Sequence, residues 1–415
     1  MIGLRIGARL ESASNHKPSN VYNSWVKPSS ARKPLKTPIR IAIVTNADWY
    51  FWSHRLALAR ALNQAGFEVL VIAAEERGYG EKIVGEGLRF LPLPVVRGST
   101  RPFTEINTVK HLIGIYRRER PELVHHVAVK AVIYGSIAAR VTGTPNVINA
   151  IAGQGYLSRA VGLKGMGLRS FARLAYKFAF AGNRTRGIFQ NPDDLNAFVR
   201  SRVVSPDKAV LIRGSGVDLG TFAPAPEPMG VPRIVFASRL LWSKGLGELV
   251  EAKRLLDDQG IASRLLVFGL PDEHNPESVA LSQIHAWERE GVLEWGGNRS
   301  DMASVLQDSH IVALPSYSEG LPKILLEAAA VGRPIVATDI PGCREIVRDQ
   351  LNGLLVPCRD PAALAKALRV LLTSSSVRQR MGIAGREIAV MEFGESGVVA
   401  KTLEIYRELL GPHWP

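Results

Sequence analysis

Cysteine is scarce in this chain: Cys343 and Cys358 are the only two in 415 residues. Their spacing fits no zinc-binding pattern, and so low a count argues against a disulfide scaffold and for a reducing compartment. No run of 18 apolar residues occurs, which excludes a hydrophobic spanning helix. The amino terminus lacks the apolar core of a secretory signal, so a cytoplasmic location is expected. No Asp-x-Asp pair occurs anywhere, and a metal held on a diphosphate by that device is not expected. The segment after the first predicted strand, Asn46 to Ser53, has no glycine, which argues against a dinucleotide fingerprint there. Acid is absent from residues 123–192, whereas Lys130, Arg140, Arg159, Lys164, Arg169, Arg173, Lys177, Arg184 and Arg186 all fall inside that span.

What is present is positive charge and enough apolar residue for two cores. The formal charge is +14 and hydrophobic residues make up 46% of the chain. A chain of this length is expected to divide into two domains. A basic field of this extent attracts nucleic acid, anionic lipid or a phosphorylated substrate. Residues 1–38, rich in Ser, Pro, Asn and Lys, carry no sustained period and are expected to be a disordered basic tail.

Beyond residue 38, strand and helix signals alternate. Strands are predicted at Ile39 to Val44, Glu68 to Ala73, Arg89 to Leu93, Leu123 to His126, Asn146 to Ala150 and Gly187 to Gln190. Helices are predicted from His54 to Ala65, with Ser53 as N-cap, and at 106–118, 130–141, 167–181 and from 193. A proline-rich break at 222–232 precedes a second series with strands at 233–237, 264–268, 292–295, 311–314, 334–338 and 353–356. Helices at 245–259, 276–290, 361–372, 377–391 and 395–410 accompany them. This alternation predicts an α/β protein of two doubly wound parallel sheets. The domains are placed at 39–222 and 233–394, joined by a linker at 223–232.

The second series is organised around Pro315 to Arg344, in which Pro322 opens a helix near Leu321. A helix start offers unpaired N–H groups and a partial positive charge to a phosphate. Glu319 precedes the helix, and Glu327 lies about 9 Å along its axis at ~1.5 Å per residue. An anion at the helix start could thus carry one hydroxyl-bearing group towards each carboxylate, which is the layout of a nucleotide-sugar. Taken alone, Glu319 reads better as a cap and Glu327 as a solvated helical residue; the combination with Gly320, Leu321 and Pro322 points to binding. Glu319 and Glu327 match the E-x7-E motif of retaining family 4 glycosyltransferases of the GT-B fold, and Ser318 to Pro322 closely resembles the form that motif takes there.

Ligands of doubly wound sheets sit outside the carboxyl ends of the strands. Arg239 and Lys244 occupy such a position after the strand at 233–237. An arginine there can fork across phosphate oxygens, and a lysine adds a point charge. As a pair of surface cations they would be unremarkable; on the rim that also carries Glu319, diphosphate binding is the better reading. They resemble the Arg and Lys of the family's G-R-L-x(n)-K-G segment, with Ser238 in place of its glycine. Of His125 and His126, alternation along a strand lets at most one point into a cleft. His126 resembles the family's active-site histidine, against the ordinary reading of a buried core residue. Trp49 and Trp52, in a run of four aromatics expected to lie in a loop, together with Lys130, Gly153 and Gly155, are candidate acceptor contacts. Asp218, in a segment resembling the family's G-V-D, is expected to be structural.

The resemblance spans about Ile39 to Leu410. It implies two facing Rossmann-like domains, a last helix (395–415) crossing back to the first, and retaining transfer of a hexosyl group from a nucleotide diphosphate sugar. Fixed cations would stabilise the departing diphosphate, so neither cofactor nor metal is expected. Glu319 would bind donor-sugar hydroxyls and Glu327 ribose hydroxyls. The segments 125–135, 149–156 and 333–347 look most like bacterial enzymes extending undecaprenyl-diphosphate-linked glycans, often from UDP-N-acetylhexosamines. The expected partners are therefore a nucleotide-sugar, a lipid-linked saccharide and the anionic inner face of the cell membrane. A stripe of Arg169, Arg173 and Lys177, with Leu168, Phe171, Leu174, Ala175 and Phe178 on the opposite side of one helix, would dock there. A non-catalytic nucleotide-sugar-binding protein and a transferase with a soluble acceptor are the alternatives. A nucleic-acid partner is not expected, because the basic field lacks interleaved aromatics and any nucleic-acid-binding module.

Overall fold

The structure, a computed structural model, describes residues 38–95, 101–152, 162–272 and 275–414, and for 102, 162–169 and 171 the backbone alone. The expected basic tail, apart from Pro38, and Gly153 and Gly155 lie outside the described residues. Strands β1 (Arg40–Val44), β2 (Glu68–Ala73), β3 (Arg89–Pro92), β4 (Leu123–Val127), β5 (Asn146–Ile151), β6 (Thr185–Phe189) and β7 (Ala209–Leu211) form one parallel sheet in the order β3-β2-β1-β4-β5-β6-β7. A second parallel sheet has the order β10-β9-β8-β11-β12-β13. Its strands are β8 (Arg233–Ala237), β9 (Arg264–Phe268), β10 (Glu294–Trp295), β11 (Ile311–Leu314), β12 (Ile335–Thr338) and β13 (Gly353–Val356). Both are doubly wound, and the strand order reverses between β1 and β4 and again between β8 and β11.

Period-two alternation decides what each strand presents to each face. Ile41 and Ile43 enter a core shared with α2 (Leu56–Gln64) and the last helix, α15 (Glu395–Leu410). Ala42 and Val44 enter the opposite core, with α4 (Pro102–Glu119) and α5 (Val129–Thr142). Val398, Ile405, Tyr406, Leu409 and Leu410 are buried in the first of these cores, so α15 returns to the first sheet after the second is complete. Burying a side chain of this size contributes roughly 1.5–3 kcal/mol, which makes five such residues a firm attachment. The second sheet is wrapped by one continuous core.

Several local expectations need correction. The aromatic run is not a loop but a short helix, α1 (Asp48–His54), and Ser53 is inside it rather than capping the next. The cause is Asp48: its buried carboxylate accepts the backbone N–H groups of Trp49, Glu76, Arg77 and Tyr79, which nucleates the helix and fixes the segment after β2 to it. Pro322 stands one position outside α11 (Lys323–Val331), as its N-cap in an extended conformation. Two short helices, α3 (Gly80–Gly85) and α10 (Met302–Gln307), carried too few turns for a period to show.

Candidate active site

The second sheet builds its site at the reversal between β8 and β11. The segment leaving β8 carries Arg239 and Lys244; the segment leaving β11 carries Ser316 and Glu319. Gly245, at φ +79, lets these two segments touch, because a Cβ there would lie 2.1 Å from the Pro315 carbonyl oxygen. Lys244 Nζ consequently donates to Glu319 Oε1 at 2.5 Å, and Ser316 Oγ donates to the same oxygen at 2.7 Å. Arg239, 39% exposed at its side chain, pairs with Asp272 at 3.0 Å. Both cations are therefore held by carboxylates and pointed at the same rim.

Glu327 is 7% exposed on α11. Burial pushes its carboxyl above the usual range, opposed by the ammonium of Lys323 3.4 Å away. Lys323 also reaches across to donate to the Ser53 carbonyl at 2.8 Å. Further ties join the carboxyl ends of the two sheets. Asn191 Nδ2 donates to the Gly320 carbonyl at 3.1 Å, and Arg213 pairs with Glu345 at 2.5 Å. Leu321, buried, fits against Gly214 (φ +69), where an added Cβ would meet the leucine at 2.4 Å. Gly320, Leu321 and Pro322 thus lie at the joint between the halves, and Glu319 and Glu327 flank them.

The two histidines of β4 diverge as strand geometry requires. His126 faces the α4 and α5 side and is fully buried. Its Nδ1 meets Asn149 Oδ1 at 2.8 Å and its Nε2 meets the Tyr116 hydroxyl at 2.9 Å, while Gly135 leaves no gap beside the ring. Both nitrogens are spent inside the core, so the expectation that His126 opens onto a cleft is corrected. His125 faces the other side, bonded through Nδ1 to the Tyr406 hydroxyl at 2.7 Å. Lys130 is bound to Glu105 at 2.9 Å, and Tyr134 donates to that same carboxylate.

The aromatics of α1 separate. Phe51 is buried in the core, Trp49 donates to Glu76 at 3.0 Å beneath the Arg77 guanidinium, and Trp52 packs on Tyr79. Tyr50 stacks on His54 with ring centroids 4.3 Å apart. Ser316 and Asp272, which hold Glu319 and Arg239, and Lys323 and Asn191, which bridge the halves, were not singled out from sequence. A signal existed only for Lys323, which stands four residues before Glu327 on one helix face. Asp218 accepts from Gly220, Thr221 and the Thr221 hydroxyl, a local turn.

Residues 221–388 match the family described as Glycosyl transferases group 1, and residues 40–191 match the family described as Glycosyl transferase 4-like. The chain is 25% identical over 389 residues to the N,N'-diacetylbacillosaminyl-diphospho-undecaprenol alpha-1,3-N-acetylgalactosaminyltransferase of Campylobacter jejuni, covering 90% of this chain and 99% of that protein. It is 27% identical over 330 residues to the UDP-Gal:alpha-D-GlcNAc-diphosphoundecaprenol alpha-1,3-galactosyltransferase of Escherichia coli, covering 75% and 82%. Among solved structures it is similar to sucrose-phosphate synthase from Thermosynechococcus elongatus, with a TM-score of 0.75 at 19% identity over 90% of this chain and 100% of that one. Anabaena HepE in complex with UDP and glucose gives a TM-score of 0.70 at 16% identity over 89% and 99%. Two doubly wound sheets meeting at their carboxyl ends, with a family match on each, define a glycosyltransferase of the GT-B fold. Within that class the chain belongs to family 4.

Proposed function

We propose that this enzyme transfers a hexosyl group, an N-acetylhexosamine or a related sugar, from a UDP-sugar to a saccharide linked to a polyprenyl diphosphate, with retention of configuration. The observation that carries the reading is the Lys244–Glu319–Ser316 cluster beside Arg239 at the strand reversal. Breaking the glycosidic bond builds negative charge on the departing diphosphate, and fixed cations in a partly dry site lower that barrier. With two cations supplied by the chain, catalysis needs no metal. Glu319 orients the sugar and Glu327 the ribose. The relatives in Campylobacter jejuni and Escherichia coli, whose names both specify an undecaprenyl-diphosphate-linked sugar, support the acceptor class.

Docking on the anionic inner face of a membrane belongs to the same reading. No described helix is long and apolar enough to cross a membrane. On α6 (Gly162–Phe180) the side chains of Leu168, Arg169 and Phe171 lie outside the described residues; among those described, the buried positions are Ala172, Tyr176, Ala179 and Phe180 rather than the expected Leu174 and Phe178. Leu174 is 70% and Phe178 40% exposed, beside exposed Arg173 and Lys177, and Arg140 lies over the Phe178 ring. Mixed apolar and cationic exposure of this kind suits a lipid headgroup boundary. Arg184 and Arg186 take no part, since they bind the Leu409 carbonyl and Glu408 on α15. A thermal-shift screen of nucleotide-sugars, followed by an assay for released nucleotide with a polyprenyl-diphosphate sugar, tests the proposal. Stabilisation by a UDP-sugar with acceptor-dependent UDP release is the expected result.

A further inference from the structure

Arg55 stands between α1 and α2, only 7% exposed, and no described carboxylate forms an ion pair with it. Its Nη1 donates to the His54 carbonyl at 2.9 Å, the end of α1, while Nε has no hydrogen-bond partner. A buried guanidinium compensated by carbonyl oxygen alone is costly to keep. Beside it lies a cavity of about 20 Å³ lined by His54, Arg55, His125, Gly214, Ser215 and Thr402 among others. Space of that size admits one water-sized group. His125 lines it as well, 2.7 Å from the Tyr406 hydroxyl through Nδ1, with its Nε2 buried and without a partner; in the tautomer whose Nδ1 accepts from that hydroxyl, Nε2 is an N–H donor. Two N–H donors and a full positive charge, with no carboxylate among the described lining residues, make a place for an anion.

The position is as telling as the chemistry. Lys323 from the second half donates to the Ser53 carbonyl at 2.8 Å, and, beneath the larger effect of burial, the charges of Arg55 and Arg239 reach the Tyr50 hydroxyl and those of Lys323 and Arg55 the His54 ring. Positive charge from the two halves therefore converges on the carboxyl end of α1. We propose that Arg55, with the Nε2 of His125, is an anion site of the first half that takes a phosphoryl oxygen of a diphosphate-bearing substrate, completing the grip begun by Arg239. The inference rests on the reading of this chain as a transferase using such substrates. Because the cavity admits a single oxygen, the site reads one corner of the diphosphate while the second half holds the rest. Arg55 is then a binding residue kept buried for its ligand.

The test is calorimetric titration of the full chain and of R55Q, R55K and H125F with UDP, GDP, ADP and farnesyl diphosphate, alongside melting of each protein without ligand. Losing a charge-assisted contact should weaken binding about tenfold or more in R55Q, with R55K and H125F intermediate. The ligand-free melting temperature of R55Q should not fall, since an uncompensated charge has been removed. Weakened UDP binding assigns the site to the donor; weakened farnesyl diphosphate binding with UDP unchanged assigns it to the lipid-linked acceptor. Unchanged affinity for every probe in the variants that fold, with a lowered melting temperature in R55Q, overturns the inference and leaves the proposed function standing. Absence of any binding by the wild type overturns both.

Discussion

Lys244 Nζ and Glu319 Oε1, 75 residues apart in the chain, stand 2.5 Å from one another at the reversal of the second sheet. Their side chains are 16% and 12% exposed, so water screens the pair weakly. In the absence of substrate the cation is held in place by the residue that would orient the sugar. K244A should lower kcat/KM by about two orders of magnitude, the effect of removing one charge-assisted donor in a dry site. E319Q keeps the shape and should act mainly on donor KM. Because the two share one contact, K244A/E319Q should cost less than the summed single effects. Steady-state kinetics of the three variants checks this; additive losses would mean that the pair does not act as a unit.

The joint between the halves should be sensitive at one glycine. Gly214 has φ +69 and faces Leu321. G214A adds backbone strain and a clash, together about 1–3 kcal/mol. Adding L321A should return part of the loss by making room. Denaturant unfolding measures both, and no recovery in the double variant would place the cost in the backbone alone.

His126 should make the first half acid-sensitive. Burial pushes its imidazole down to about 4, and its neutral form satisfies both neighbours, Nδ1 donating to Asn149 and Nε2 accepting from Tyr116. The unfolded chain takes up a proton near pH 6.5 while the folded chain resists it. The stability contributed is therefore full above about 6.5 and lost as pH falls towards 4, on the order of 3 kcal/mol. Melting of wild type and H126Q between pH 4 and 7 should show a shallower fall in the variant. Parallel curves would assign the acid sensitivity to other groups.

The exposed face of α6 predicts binding to anionic vesicles that salt weakens. R173E/K177E should reduce sedimentation with anionic vesicles, each cation near the surface contributing roughly 1 kcal/mol. L174S/F178S should reduce it without changing the salt dependence. Equal binding by all three proteins would remove this face from consideration.

Much of this was legible in the sequence because it is periodic or local. The strands at 233–237, 264–268 and 311–314 have the predicted bounds, since buried parallel strands are continuous apolar runs flanked by polar turns. That Glu319, Arg239 and Lys244 share one rim was legible because all three follow strands of one sheet at their carboxyl ends. Side-chain direction was not visible. His125 and His126 differ by one residue and face opposite cores, and only the register of β4 between β1 and β5 fixes which faces which. Asp48 is bound by Glu76, Arg77 and Tyr79 from beyond β2, and Arg55 is buried by elements distant in the chain, so neither the helix in the aromatic run nor the uncompensated arginine could be read locally.

The central claim is transfer from a nucleotide-sugar to a lipid-linked saccharide by cations that the chain itself supplies. The direct measurement is incubation of purified wild type and R239A with UDP-N-acetylhexosamine and a short-chain polyprenyl diphosphate sugar in excess EDTA, with released UDP and the extended lipid product both quantified. The account predicts equimolar UDP and product from wild type, undiminished by EDTA, and a rate lower by about two orders of magnitude in R239A. Activity that EDTA abolishes and a divalent cation restores, or full activity in R239A, would contradict it.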